Sequence, residues 1–381
     1  MTMLFMKKKY QLERFFVTWL MILFMILTDA FTAFAQVKQA TFLVNGISCD
    51  LEQGILKVEF VTPDVVRVQY TGENTFIGNG TDVCLPRAVD NPVRWVYTPN
   101  PDCYLLKSDS LIVRVDLSTA SITYLDKEGG LLLQEDQNIP RISEKRVTKQ
   151  VIYDEHSKHI EKTADGDKEI KNVLRYDTIG HTWKYRINFK WQPLEALYGW
   201  GAHMEDYMNL RGKELYLCQH NLKAMVPVLN STAGYGLLFD AGCAMMFKDN
   251  SEGSFVELEA AKQIDYYFMK GKTMDAVVAN YRLLTGNSPM MPLYLFGYIQ
   301  SKERYVSSDD LINTLKEYRQ RQIPIDMIVQ DWNYWPEGQW GNMSMNPKFY
   351  PDKRKLADEI HSLHAKLMIS IWPVCHEGII T

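Results

Sequence analysis

Three apolar runs in the last ninety residues constrain the fold of this chain more than anything else in it. From Pro292 the sequence reads PLYLFGYIQSKERY; IPIDMIVQDWNYW and AKLMISIWP come next, before Thr381. Each run is apolar throughout and does not alternate, the pattern of strands buried on both faces of a parallel sheet. Amphipathic segments separate them. Ser307-Ser308-Asp309-Asp310 offers N-caps with acids in the first turn, opening a helix to about Arg321 with Leu311, Ile312, Leu315 and Tyr318 facing the core. Pro351-Asp352 opens another, with Leu356, Ile360 and Leu363 inward. Strands then fall at Leu293–Ile299, Ile325–Gln330 and Lys366–Ile371. This is the rhythm of a (β/α)8 TIM barrel, here an incomplete one of about three of the eight βα units.

The upstream residues have a different period. Ile55–Phe60, Val66–Tyr70, Leu111–Val115 and Trp183–Ile187 alternate apolar and polar, separated by turns such as Thr62-Pro63-Asp64 and Glu128-Gly129-Gly130. Short alternating strands with frequent punctuation predict an antiparallel β-sandwich. Residues 141–172 are charged and poor in aliphatics, which reads as a long hairpin or a mobile insertion. Strands continue through Tyr198–Phe268, richer in glycine and aromatics. Ala276, Val277, Asn280, Tyr281 and Leu284 then recur at helical spacing over Thr273–Leu284. Thr285-Gly286-Asn287-Ser288-Pro289 closes that helix, so the sandwich domain is expected over residues 36–288 and the barrel domain over 289–381.

Residues 1–35 read as an export signal. Lys7, Lys8, Lys9 and Arg14 accompany the apolar run Phe15–Leu27, and Ala33-Phe34-Ala35 fits small-x-small cleavage before Gln36. The run falls short of the about twenty residues a membrane span needs. The expectation is an exported protein, periplasmic or secreted, with no stable membrane span after cleavage. Net charge is −4 and the one compact basic run lies in the leader, which argues against a nucleic-acid partner. The six cysteines show no CxxC spacing; export would permit a disulfide or two, but buried free thiols are the simpler reading. His156-x-x-His159 and His361-x-x-His364 lack a third ligand in register, and there is no glycine-rich phosphate loop. No metal and no cofactor are expected, and oligomeric state is left open.

In a parallel barrel the chemistry sits where strands end. Those ends read Gln300-Ser301-Lys302-Glu303-Arg304-Tyr305, then Asp331-Trp332-Asn333-Tyr334-Trp335, then Trp372-Pro373. An aspartate directly after a buried strand, with aromatics following, suits a sugar pocket. The carboxylate accepts two hydroxyl hydrogen bonds, and indole faces stack on the C–H side of a pyranose. The plainer alternative is a turn aspartate that caps the next segment, with the tryptophans packing the rim.

The run GYIQSKERYVSSDDLINTLKEYRQRQIPIDMIVQDWNYW, followed by QWGNMSMNPKFYPD and LHAKLMISIWP, closely resembles family 31 glycoside hydrolases. Within them it looks most like the α-xylosidase and α-glucosidase branch with a QDW-x-YW signature. Upstream, YGWG, GYGLLFD and YRLLTGNSPMMP fit the passage from sandwich to barrel in the same family. The resemblance runs from about Val65 to Thr381.

It implies a galactose-mutarotase-like sandwich ahead of the barrel, and a retaining α-glycosidase in which one carboxylate attacks the anomeric carbon while a second serves as acid and then base. The family's nucleophile lies in a W-x-D-M-N-E type motif after strand four and its acid/base aspartate after strand six. Neither motif occurs up to Thr381, so none of Asp326, Asp331 or Glu377 takes either role. The matching residues are the substrate-holding ones. Asp331 fits the aspartate that hydrogen-bonds the terminal sugar, and Trp340 and Trp372 fit aromatic walls of that subsite. Lys302 stands where glucose- and xylose-preferring members differ, and Gln219 and Asn221 are candidates for the loop the sandwich sends over the barrel mouth. The implied partner is an oligosaccharide with terminal α-linked xylose or glucose. The chain alone is expected to be inactive. A non-catalytic carbohydrate-binding protein and one half of a split glycosidase are the alternatives.

Overall fold

The alternating runs become two antiparallel sheets. The computed structural model describes residues 36–78, 83–85, 92–163, 166–220, 222–339, 341–371 and 379–380; the leader lies outside them. The chain divides into two units, one of residues up to Arg146 with His181–Asn287, the other of Val147–Gly180 with Ser288–Thr381.

In the first unit an eight-stranded sheet runs, in spatial order, Val37–Phe42, Gly46–Leu51, Ile55–Thr62, Val65–Thr71, Ile264–Lys270, Tyr235–Phe239, Val228–Ser231 and Leu197–Gly199. The facing sheet runs Glu214–Leu217, Met245–Asn250, Gly253–Ala261, Val173–Lys190, Leu131–Glu135, Ile122–Asp126, Leu111–Asp116, Cys103–Ser108 and Trp95–Thr98. Period two is visible in the burial: Leu56, Val58 and Phe60 point inward from one sheet, Leu111, Val113 and Val115 from the other. Rings join the layers, Tyr124 stacking on Phe268 with centroids 3.9 Å apart.

Buried ionic groups interrupt that apolar core, and the most enclosed is Glu135. The Glu135 carboxylate is fully buried. It accepts the Ile122 N–H at 2.9 Å, the Tyr266 hydroxyl at 3.1 Å and the Arg141 guanidinium. Arg141 also donates to the Ala120 carbonyl at 2.9 Å. Burial pushes the Glu135 carboxyl up, and the Arg141 charge works against that rise.

Residues 141–172 form a long hairpin. Arg141–Tyr153 pairs with Val173–Lys190, and His159–Thr163 pairs with Gly166–Ile170 as a smaller hairpin at the tip. The helix expected near Thr273 spans Met274–Thr285, where the Thr273 hydroxyl accepts the Ala276 N–H at 3.2 Å and Gly286 ends it at a φ of 94°. Cys49, Cys84, Cys103, Cys218 and Cys243 are all free thiols; Cys375 lies outside the described residues. Among the described residues no helix is long and apolar enough to cross a membrane.

The second unit holds a three-stranded parallel sheet, Ile299–Gln300 beside Met327–Gln330 beside Lys366–Ile369. Helix Ser308–Gln320 begins where the Ser307 hydroxyl accepts the Asp310 N–H at 3.2 Å. Helix Lys353–Ser362 begins where the Asp352 carboxylate accepts the Lys355 N–H at 2.9 Å. Leu311, Ile312, Leu315, Leu356 and Ile360 pack with Ile328 in one core. The first strand is shorter than the expected Leu293–Ile299. Leu293–Phe296 is a 3-10 turn held by the Leu295 N–H on the Pro292 carbonyl at 3.0 Å. A short apolar run does not by itself separate strand from helix. Pairing begins only after Gly297, where the next strand comes so close that a Cβ would lie 1.9 Å from an Asp326 carboxylate oxygen.

Candidate functional site

The central strand of the parallel sheet, Met327–Gln330, is buried at all four positions, and the chain leaves it through Asp331. A ring of buried hydrogen bonds fixes that exit. The Gln330 side chain is fully buried; its Nε2 donates to the Tyr305 carbonyl at 3.1 Å and to the Asp331 carbonyl at 3.1 Å. Tyr350 Oη lies 2.7 Å from the Tyr305 carbonyl and 2.9 Å from Gln330 Oε1. Burial pushes the Tyr350 phenol up to about 12, so it keeps its proton at neutral pH. Through these bonds the loop after the first strand is tied to the turn after the second. Asn333 then takes a φ of 58°, a left-handed turn that asparagine tolerates better than most residues.

The Asp331 side chain is half-buried and, among the described residues, has no hydrogen-bond or ion-pair partner. A turn aspartate capping its own segment would show such a bond, as Asp352 does. Its oxygens are therefore available to a ligand. Lys302, on the neighbouring loop, is partly committed. Its ammonium pairs with Asp310 at 3.4 Å and lies 4.6 Å from the Tyr305 ring centroid. Arg304 reaches across to Trp332, its guanidinium carbon 5.9 Å from the ring centroid. Tyr334 and Trp335 are buried in the core of the unit, which is the rim packing considered for the tryptophans. Trp340 and Trp372 lie outside the described residues.

Two family models match the chain: the glycosyl hydrolase 31 N-terminal galactose mutarotase-like domain over residues 55–247, and the glycosyl hydrolases family 31 TIM-barrel domain over residues 288–379. This chain belongs to glycoside hydrolase family 31. The family 31 chain is 29% identical over 327 residues to an α-xylosidase of Saccharolobus solfataricus, an overlap of 84% of this chain and 40% of that relative. It is 30% identical over 198 residues to an uncharacterized family 31 glucosidase of Pseudescherichia vulneris, covering 51% of this chain and 36% of the relative. It thus spans well under half the length of these relatives. Among solved structures it is similar to a family 31 α-xylosidase from a soil metagenome complexed with xylose (TM-score 0.67, 22% identity, 89% of this chain and 48% of that one). It is also similar to the α-xylosidase of Xanthomonas citri (TM-score 0.64, 19% identity, 87% and 49%). At those identities the structural likeness concerns the fold.

In this family 31 chain, Gln219 belongs to the sandwich unit. Its side-chain amide is spent on its own loop, donating to the His220 carbonyl at 3.1 Å and to the Lys223 carbonyl and accepting the Met225 N–H at 2.9 Å. Asn221 lies outside the described residues. No cluster of three or more His, Cys, Asp or Glu side chains able to hold a metal occurs among the described residues. Sequence reasoning passed over Gln330 and Tyr350. The signal for Gln330 was present, since an amide closing an otherwise apolar buried strand must find partners inside. Nothing local marks Tyr350 as its partner.

Proposed function

We propose that residues 289–381 build one wall of the terminal-sugar pocket of an exported α-xylosidase or α-glucosidase, with Asp331 holding hydroxyls of the terminal α-linked sugar. The observation that carries this reading is the Asp331 carboxylate, unpartnered among the described residues at the end of a buried parallel strand and backed by the Gln330–Tyr350–Tyr305 hydrogen bonds. A carboxylate in that place recognises and orients; it need not react. Relatives that are α-xylosidases favour xylose among the sugars considered. We read the region as three βα units of a TIM barrel that is otherwise incomplete here, joined near residue 288 to the sandwich. Trp340 and Trp372 belong to the same pocket in this reading, and Lys302 tunes it from the adjoining loop. Neither family motif for the nucleophile or the acid/base aspartate occurs up to Thr381, so turnover by this chain alone is not expected.

The test is titration of the chain from Gln36 with xylose, together with release of 4-nitrophenol from its α-xyloside. Saturable xylose binding with no release above the buffer rate is the expected pair of results. Asp331→Ala should abolish the binding while shifting stability by no more than about 0.5 kcal/mol, as for a substitution that removes no internal contact. Unchanged xylose affinity in that variant would remove Asp331 from the pocket.

A further inference from the structure

Two contacts place the distal part of the long hairpin beside the loop that leaves the second parallel strand and beside Ile379 and Ile380, downstream of the third. The loop after Asp331 passes through Gly338, where a Cβ would meet the Ile160 Cδ1 at 3.4 Å. Ile160 belongs to the hairpin tip. Downstream of the third strand, Ile379 and Ile380 pair antiparallel with Gln150 and Lys149 on the hairpin stem. One hairpin thus touches both the loop after the second strand and the segment downstream of the third. The loop after the second strand lies at the end of a parallel barrel where substrates bind.

The tip keeps a defined shape without much of a core. Lys171 Nζ reaches the two Glu155 carboxylate oxygens at 2.9 and 2.7 Å, Lys158 pairs with Glu169 at 2.6 Å, and the Asp154 carboxylate accepts the His156 N–H at 2.9 Å. Exposed ion pairs of this kind add little stability, and Ile160 remains about half exposed. Stability does not explain the element. Register sets Ile160 opposite Glu169, so one face of the tip carries an aliphatic side chain next to a carboxylate and an ammonium. An apolar patch edged by a donor and an acceptor matches a sugar ring, which has C–H surface bounded by hydroxyls.

We infer that the hairpin tip is the outer wall of the sugar site, contacting the second and third sugars of an α-linked oligosaccharide while Asp331 holds the first. The inference rests on the terminal-sugar reading of Asp331 and adds the element that selects chain length. It is tested by calorimetric titration of the chain from Gln36 with xylose and with a xylose-terminated tetrasaccharide. The wild-type protein binds the tetrasaccharide at least about tenfold more tightly, near 1.4 kcal/mol. Ile160→Asp, and separately replacement of Glu155–Lys171 by an Asn-Gly turn, bring the tetrasaccharide to the affinity of xylose and leave xylose unchanged. Xylose binding with no tetrasaccharide preference in the wild type, or with a preference that survives both changes, overturns the hairpin's role and leaves Asp331 in place. Failure to bind either sugar overturns both.

Discussion

The two sheet systems solve the problem of buried polar groups differently. In the sandwich each inner strand has partners on both sides, and its buried ionic groups, such as Glu135 with Arg141 and Asp265 with Arg67, are internally paired. In the parallel sheet only the central strand is buried throughout, while Lys366–Ile369 is mostly exposed, with Met368 and Ile369 about 40% accessible. Parallel strands are normally covered on both faces. The lesson concerns where each region keeps its order. The sandwich is held by a wide core, whereas the candidate site hangs on one strand and a few hydrogen bonds around Gln330.

The sharpest way to break that contrast is Glu135→Gln. It leaves the Arg141 guanidinium charged and short of its counter-ion in the sandwich core. Removing one partner of such a pair costs about 3–5 kcal/mol, read as a lower midpoint in urea denaturation. A loss below about 1 kcal/mol would mean the pair is incidental to the core. A smaller effect is expected at the other region. Tyr350→Phe strips the phenol from Gln330 Oε1 and from the Tyr305 carbonyl, both buried. The Tyr305 carbonyl keeps the Gln330 Nε2 donor, but Gln330 Oε1 is left without one, and a buried acceptor left unsatisfied costs about 1–3 kcal/mol. The change should also speed amide exchange at Asp331 and weaken xylose binding without touching the carboxylate. Intact binding in Tyr350→Phe would show that the exit turn holds itself.

The sequence showed the larger organisation because period is a local property. Alternation at Leu56, Val58 and Phe60 and continuity at Met327–Gln330 are each written in a few adjacent residues. Caps at Ser307 and Asp352 were equally legible, since a cap bonds within its own turn. The expected first strand starts several residues too early because the apolar run Leu293–Phe296 reads equally as strand or turn, and the pairing that begins at Ile299 is made with Met327, far along the chain. At the site, Asp331 could be found from its place after an apolar run. Its support could not, because Tyr350 and Tyr305 reach Gln330 across separations of 20 and 25 residues. The hairpin tip was hidden for the same reason: nothing in residues 155–171 states that Ile160 meets Gly338.

The mildest test returns to the sandwich and asks whether its charges matter outside the core as well. Glu257 sits across from Arg186 in the antiparallel register and is clamped from both sides, by Lys184 at 2.6 Å and Arg186 at 2.7 Å. Desolvation raises its pKa, but the hydrogen bonds from Lys184 and Arg186 outweigh that, and the net direction is down. A carboxyl held below its unfolded value contributes stability at pH above the unfolded pKa, about 4.3 for glutamate. That contribution drains as pH falls from there through the lower folded value. Glu257→Gln should therefore be less stable than wild type at pH 6, converge on it toward pH 3, and show the shallower slope between. Parallel slopes would place the acid sensitivity of the sandwich in other carboxyls held low, such as Asp116 and Asp136.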